Sequence, residues 1–394
     1  MSQRTENLEQ FAIDVILERR RGFRATLLRG LLYALSFIYE RLVQLRLFLY
    51  RHRILREHTL GCLVISIGNL TVGGTGKTPI VEKFARALRA GGRRVAILSR
   101  GYKSVPAPSP RKSLFGKKKP QPPRVVSDGK SLLLDSRTAG DEPYMLANNL
   151  KDVVVLVDKD RVKSGLYAIK ELKADTLLLD DGLQYLHLKH RLDIVLIDRQ
   201  APFGNEHLLP RGTLREPPRN LRRASYIFIT KSTGEPNDKL IKRIRRYNRT
   251  AEIIECAHKP LHLQNVLTGE QLPLERLRDA YIGSICGIAA PESFEDGLQK
   301  LGARLELSKR YTDHHRYSEA ELNSFITRCV RRDLEMIVTT EKDAVRFPRL
   351  TKSDVPIYFL RVEIEILSGH ESWEHCVARI CKPQPLLSPE RFFA

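Results

Sequence analysis

The chain has 394 residues, 42% of them hydrophobic, which allows two ordinary cores and excludes a multi-span membrane protein. A formal charge of +21 invites an anionic partner: nucleic acid, anionic lipid or a phosphorylated substrate. The six cysteines (Cys62, Cys256, Cys286, Cys329, Cys376, Cys381) include no C-x-x-C pair, so they indicate small buried hydrophobes in a reducing compartment rather than a zinc site or disulfide framework.

The opening MSQRTENLEQ lacks the basic-then-apolar pattern of a cleavable signal peptide. Beyond it, Leu31, Leu35, Ile38, Leu42, Leu45 and Leu49 recur at steps of four and three, and predict one apolar stripe on a helix. Leu32, Tyr39, Leu47 and Phe48 widen the stripe. Its longest uncharged run, Gly30 to Tyr39, is ten residues, too short for ~30 Å of hydrocarbon. Eleven Lys/Arg stand against five Asp/Glu between Met1 and Arg56. Such a helix fits an in-plane membrane anchor, and equally a helix packed on its own domain or pairing as a coiled coil.

Residues 62–88 read CLVISIGNLTVGGTGKTPIVEKFARAL: an apolar strand, a glycine-rich loop, then an amphipathic helix. This order is the context a phosphate-binding loop requires. Thr71, Val72, Gly73, Gly74, Thr75, Gly76, Lys77 and Thr78 form the cradle. Its glycines let backbone N–H groups approach an anion, Lys77 reaches the β- and γ-phosphates, and the Thr78 hydroxyl can ligate Mg²⁺. The strict pattern has glycine where Thr71 stands, so this is a variant form. The loop predicts binding of a nucleoside triphosphate.

From Cys62 to Lys231, apolar runs at 93–99, 153–158, 176–181, 192–198 and 225–231 predict buried parallel strands, with helices between them covering both sheet faces. Residues 103–124 interrupt this with six prolines and seven Lys/Arg and no acid, and predict a mobile basic loop that is either solvated or in contact with anionic lipid. Asp141 and Glu142 stand at a helix entrance, where they support the helix dipole, or one of them accepts a hydroxyl proton or positions a histidine. Asp180 and Asp181 end an apolar strand, where a phosphate-loop enzyme holds Mg²⁺; an Asp-Gly turn is the plainer reading. The tract 203–219 is rich in glycine and proline but carries Arg211, Arg215 and Arg219, a set suited to clamping phosphate oxygens. Glu216 beside Arg215 is either a metal ligand or an ion-pair partner.

A second unit begins near residue 257. Strands are expected at 280–288, 334–340 and 355–362, with helices at 291–301, 318–332 and 370–381. Ser318 and Glu321 spell a capping box. Asp313-His314-His315 lies before that helix, and a histidine there can accept a proton. The organisation expected is 1–58 as an amphipathic membrane-associating segment, 59–256 as a P-loop kinase domain and 257–394 as a C-terminal α/β domain. The fold class is α/β and P-loop NTPase-like, with a mostly parallel sheet.

The segments SIGNLTVGGTGKTP (66–79), LSRGYK (98–103), GDEPYMLA (140–147), LLLDDGLQ (177–184), LDIVLID (192–198), LLPRGTLREP (208–217), DHHRYS (313–318) and TTEKDAVRF (339–347) together resemble the tetraacyldisaccharide 4′-kinase family, the lipid A 4′-kinases of Gram-negative-type bacteria. The resemblance implies transfer of the ATP γ-phosphate, with Mg²⁺, to the 4′-hydroxyl of a lipid-linked glucosamine disaccharide. It implies that Asp141 orients His314 to draw the proton from that hydroxyl, with Lys77 and Thr78 serving phosphates and metal. Asp180, Asp181, Arg215 and Glu216 then take metal and phosphate tasks. It also favours the membrane-anchor reading of the N-terminal helix, at the cytoplasmic face of a bacterial inner membrane.

Two departures stand out: Leu183 and Tyr185 replace a Phe and a His in the family's DDG-Phe-Gln-His stretch, and Leu188-Lys189-His190-Arg191 replaces Leu-His-Arg-Asp. Rival readings are weaker. Thr230-Lys231-Ser232-Thr233 lacks the aspartate of a guanine reader, no Cys/His cluster suits a metal carrier, and only charge supports nucleic-acid binding, so no nucleic-acid partner is expected.

Overall fold

The computed structural model describes residues 3–102, 104 and 121–382. Two helices, α1 (Gln3–Ile16) and α2 (Phe23–Arg51), precede the first lobe. That lobe runs β1 (Leu63–Asn69), α3 (Lys77–Ala90), β2 (Val95–Ser99), β3 (Arg124–Asp128), α4 (Ser136–Ala139), α5 (Asp141–Asn149), β4 (Val154–Val157), α6 (Arg161–Lys170), β5 (Thr176–Asp180), β6 (Leu192–Asp198), β7 (Tyr226–Thr230) and α7 (Asp238–Arg245). The chain continues through β8 (Glu252–Asn265), β9 (Gln271–Leu272), β10 (Tyr281–Cys286), α8 (Pro291–Lys300), β11 (Arg304–Arg310), α9 (Glu319–Val330), β12 (Met336–Thr340), α10 (Glu341–Ala344), β13 (Ile357–Ser368) and α11 (His370–Cys381).

One sheet threads both lobes in the order β11-β10-β12-β13-β8-β7-β6-β1-β5-β2-β4-β3. Strands β1, β2, β4, β5 and β7 are buried at every residue, as a sheet covered on both faces requires. Pairing is parallel on either side of a central antiparallel pair, β8 with β13, apart from the edge strand β3 on β4 and the short β9 on β8, which are antiparallel. The boundary expected at residue 257 falls inside β8. That strand is polar and contains Pro260, which sits at a register shift against Val362 where a missing N–H is tolerated. Helix α11 turns back to the first lobe, where Trp373, Cys376 and Ile380 join the core under α3. The predicted strands and helices all form, and the capping box on Ser318 closes as expected.

Buried charges join the lobes. Arg361 of β13 reaches Glu82 of α3 and lies 2.6 Å from Glu341 of α10, whose other oxygen accepts from Asn149 of α5 at 2.5 Å. Ser136 donates across to the Val345 carbonyl at 2.7 Å.

Helix α2 packs on the first lobe by its polar edge. Buried Ser36 donates to the Leu208 carbonyl at 2.9 Å and accepts from the Arg211 N–H at 3.0 Å. Tyr39 donates to the Arg215 carbonyl at 3.0 Å, and Glu40 pairs with Arg219 at 2.6 Å. The predicted stripe points the other way: Leu31, Leu35, Ile38, Leu42 and Leu45 are exposed. Among the described residues, no helix is long and apolar enough to cross a membrane. The basic insertion at 103–124 lies almost wholly outside the described residues.

Candidate active site

The loop between β1 and α3 turns through positive φ at Gly73 (120°) and Gly76 (75°), conformations that side chains disfavour. A Cβ on Gly76 would stand 2.9 Å from the His258 ring, so the loop also lies close against β8. Thr230 holds the Thr75 carbonyl at 3.0 Å, and Val72 N–H donates to Thr213 at 2.7 Å. Helix α3 starts at Lys77 with no side-chain cap, leaving its first N–H groups and positive dipole end for an anion. Lys77 Nζ lies 3.3 Å from Asn69 Oδ1 and 3.8 Å from Asp181 Oδ1.

Strand β5 pairs beside β1, so its end delivers both aspartates to this loop. Asp181 has φ 56° and takes Arg215 in a bidentate pair at 2.8 and 2.9 Å. Burial opposes its charge, but the Arg215 hydrogen bonds and the nearby Lys77 hold its carboxyl below the usual range. Asp180 is different. Burial first, then the charges of Glu142 and Asp181, push its carboxyl up to about 7, with Lys77 and the Ser99 hydroxyl opposing. Ser99 donates to Asp180 Oδ2 at 3.1 Å, while Oδ1 is buried with no hydrogen-bond partner among the described residues.

The second cluster forms where the lobes meet. Asp141 opens α5 in the first lobe, and His314 lies in the loop before α9 with a left-handed φ of 67°. His314 Nδ1 is 3.2 Å from Asp141 Oδ2. Its other ring nitrogen, Nε2, has Asp313 Oδ2 at 3.9 Å. Arg316 and Arg346 also reach Asp141, at 2.9 and 2.8 Å. Burial raises the Asp141 carboxyl, yet the His314 hydrogen bond and both guanidiniums outweigh it and hold it low. Two features relate this pair to the first cluster: Tyr102, three residues beyond Ser99 in the chain, packs edge-on to His314 at 5.6 Å, and the charge of Glu142, next to Asp141, raises the Asp180 carboxyl.

Other expected residues divide. Arg215 faces Lys77 and Asp181, but Arg211 and Arg219 do not join it. Arg211 pairs with Glu18 at 2.5 Å and Arg219 with Glu40, so the 203–219 tract seats the N-terminal helices. Glu216 is buried with one oxygen accepting from Gln184 at 3.1 Å and the other from Asn220 at 2.8 Å and Arg223 at 2.7 Å. That is the bonding of an ion-pair residue. Tyr185, in place of a histidine, donates to Asp160 at 3.2 Å and lies under the Arg161 guanidinium at 4.8 Å. Sequence reasoning passed over Asn69, Ser99, Arg316 and Arg346. All four sit inside or beside motifs it quoted, but only the folded chain brings them to the acids.

Comparison with known proteins identifies the family. The family profile described as tetraacyldisaccharide-1-P 4′-kinase (LpxK) matches residues 28–382. A tetraacyldisaccharide 4′-kinase of Syntrophus aciditrophicus is 38% identical over 362 residues, covering 89% of this chain and 93% of the relative. One of Halothermothrix orenii is 33% identical over 378 residues, covering 92% and 95%. The crystal structure of LpxK from Aquifex aeolicus in complex with ATP superposes with a TM-score of 0.68 at 28% identity, covering 90% of this chain and 99% of that one. The chain therefore belongs to the tetraacyldisaccharide-1-P 4′-kinase family.

Proposed function

We propose that this chain transfers the γ-phosphoryl group of ATP to the 4′-hydroxyl of a tetraacylated glucosamine disaccharide 1-phosphate, a lipid A precursor. The observation that carries the reading is the meeting of two clusters. A glycine cradle with Lys77 lies in the first lobe, and a histidine–carboxylate pair forms where the lobes meet, Asp141 from the first and His314 from the second. An alcohol is a poor nucleophile at neutral pH, so a nearby base is useful. His314 Nε2 takes the hydroxyl proton, the freed oxygen bonds to the γ-phosphorus, and the bond to the β–γ bridging oxygen breaks to release ADP. Asp141 fixes the ring by its contact with Nδ1. Lys77 and Arg215 neutralise the negative charge of the phosphoryl group and of the bridging oxygen, on which charge builds as its bond breaks.

The buried, unpartnered Asp180 oxygen and the Thr78 hydroxyl at the start of α3 form a donor set that fits Mg²⁺. A bound Mg²⁺ would supply charge neutralisation between the β- and γ-phosphates. We assign Glu216 to holding the 208–220 loop instead, since both its oxygens are in use.

The acceptor is an amphiphile, and α2 offers a matching surface. Its exposed leucines, flanked by arginines, would lie in the interfacial region of an anionic membrane leaflet, leaving the polar edge on the enzyme. On this reading the chain is a peripheral or monotopic enzyme of the cytoplasmic face of the inner membrane.

The test is incubation with γ-labelled ATP, Mg²⁺ and the disaccharide lipid in mixed micelles. Label is expected on the glycolipid with wild type and absent with Lys77→Ala, which also loses nucleotide affinity. Normal nucleotide binding with no labelled lipid would overturn the assignment.

A further inference from the structure

We propose that Arg346 is a positioning residue for the Asp141–His314 pair, its buried guanidinium setting the pH above which His314 can accept the substrate proton. The inference rests on the assignment of His314 as proton acceptor made above. It goes beyond it by naming what tunes the pair.

Arg346 follows α10, and its side chain is fully buried. Its donor fork is almost completely occupied. Nε donates to Asp141 Oδ2 at 2.8 Å, and Nη1 donates to the Gly287 carbonyl at 2.9 Å and Asp343 Oδ1 at 3.1 Å. The remaining nitrogen, Nη2, lies 3.1 Å from His314 Nδ1. No other described side chain touches both members of the pair. Arg316 reaches only the second Asp141 oxygen, from a position one-third exposed, and spends its other contact on the Ser136 carbonyl.

The chemistry of that contact has a direction. Guanidinium is donor-only and stays charged at any working pH. In the base form Nδ1 carries the proton that faces Asp141, and uptake of the substrate proton at Nε2 adds a positive charge to a ring that lies beside the Arg346 guanidinium. Arg346 opposes this state by its charge, while Asp141 favours it. Asp343 sits behind Arg346 and balances part of its charge; Tyr317 and Thr340 in turn hold Asp343, at 3.1 and 2.6 Å. The other charged or titratable groups facing the pair are Asp313, Lys342 bridging Asp313 and Glu142 at 3.9 and 3.2 Å, and Tyr102. Among the described residues, Asp313 meets His314 at Nε2, and Lys342 and Glu142 pair with other groups. Arg346 and His314 belong to the second lobe, and Asp141 joins them from the first.

The experiment is the pH profile of kcat/KM, which reports the free enzyme, for three variants. Arg346→Gln keeps a donor but removes the charge, and its acid limb is expected to move to higher pH by about one unit or more, with activity recovering on the alkaline side. Arg346→Lys restores the charge and is expected to return the limb close to wild type. Asp343→Asn keeps its acceptor but leaves the Arg346 charge less balanced, so its limb is expected to move to lower pH. A merely structural arginine would lower activity at every pH and leave the limbs in place. A folded Arg346→Gln with an unmoved limb overturns the proposal. Should that variant fail to bind nucleotide or melt cooperatively, Asp343→Asn decides alone, and a limb unmoved or raised overturns it. His314→Ala separates the two levels: wild-type turnover there removes the base assignment itself, whereas an inactive His314→Ala beside unmoved limbs removes only the role of Arg346.

Discussion

Replacing Leu31, Ile38, Leu42 and Leu45 together by serine tests whether α2 is a membrane-binding surface. These side chains are 58, 55, 59 and 52% exposed, so a bilayer interface can bury about half of each that the protein leaves uncovered. Full burial of a leucine or isoleucine stabilises by about 1.5–3 kcal/mol, so half-burial contributes about 1 kcal/mol each. Four residues then supply about 4 kcal/mol, about a thousandfold in partitioning. The assay is sedimentation with phosphatidylglycerol-containing liposomes at fixed salt, alongside turnover on detergent-dispersed lipid. Because Ser36, Tyr39, Glu40 and Gln44 still hold α2 on the enzyme, turnover in detergent is expected to remain near wild type. Partitioning of the quadruple variant equal to wild type would refute the reasoning.

Two further predictions concern the site. His314→Ala is expected to lower kcat by about 10²–10⁴ while a nucleotide titration gives unchanged affinity, because the ring touches Asp141 and not the glycine cradle. Asp180→Asn is expected to remove Mg²⁺-dependent turnover yet stabilise the nucleotide-free protein. With its carboxyl pushed up to about 7 from 3.8, the folded chain holds this proton more tightly than the unfolded chain. Stability therefore falls as pH rises between about 4 and 7, and the whole penalty is present above 7. The variant should melt well above wild type at pH 8 and with a much smaller difference near pH 4; the same difference at both would contradict this.

Local features of the site were readable in the sequence, and long-range ones were not. The phosphate loop is a strand, a turn and a helix in one stretch, so Gly73, Gly76, Lys77 and Thr78 declare themselves by spacing. Asp141 and His314 lie 173 positions apart, and nothing in the spacing of either motif says they touch; only family resemblance joined them. The arginines of the 203–219 tract have the same composition but opposite destinations. Arg215 turns to Asp181, whereas Arg211 and Arg219 turn to the N-terminal helices, a choice made by tertiary contacts. The stripe on α2 was legible as a helix face, but not the direction it would point, since periodicity is the same for a packed and an unpacked face. Strand β8 escaped notice because its charges and proline hide a 14-residue strand that borrows its order from β13 and β7.

The most direct measurement is ³¹P–¹H correlation on the lipid recovered after reaction with ATP and Mg²⁺. The account predicts a new phosphomonoester coupled to the proton on the 4′ carbon, produced by wild type and lost with His314→Ala. Inorganic phosphate as the sole product, or a phosphoester at any other carbon, would contradict it.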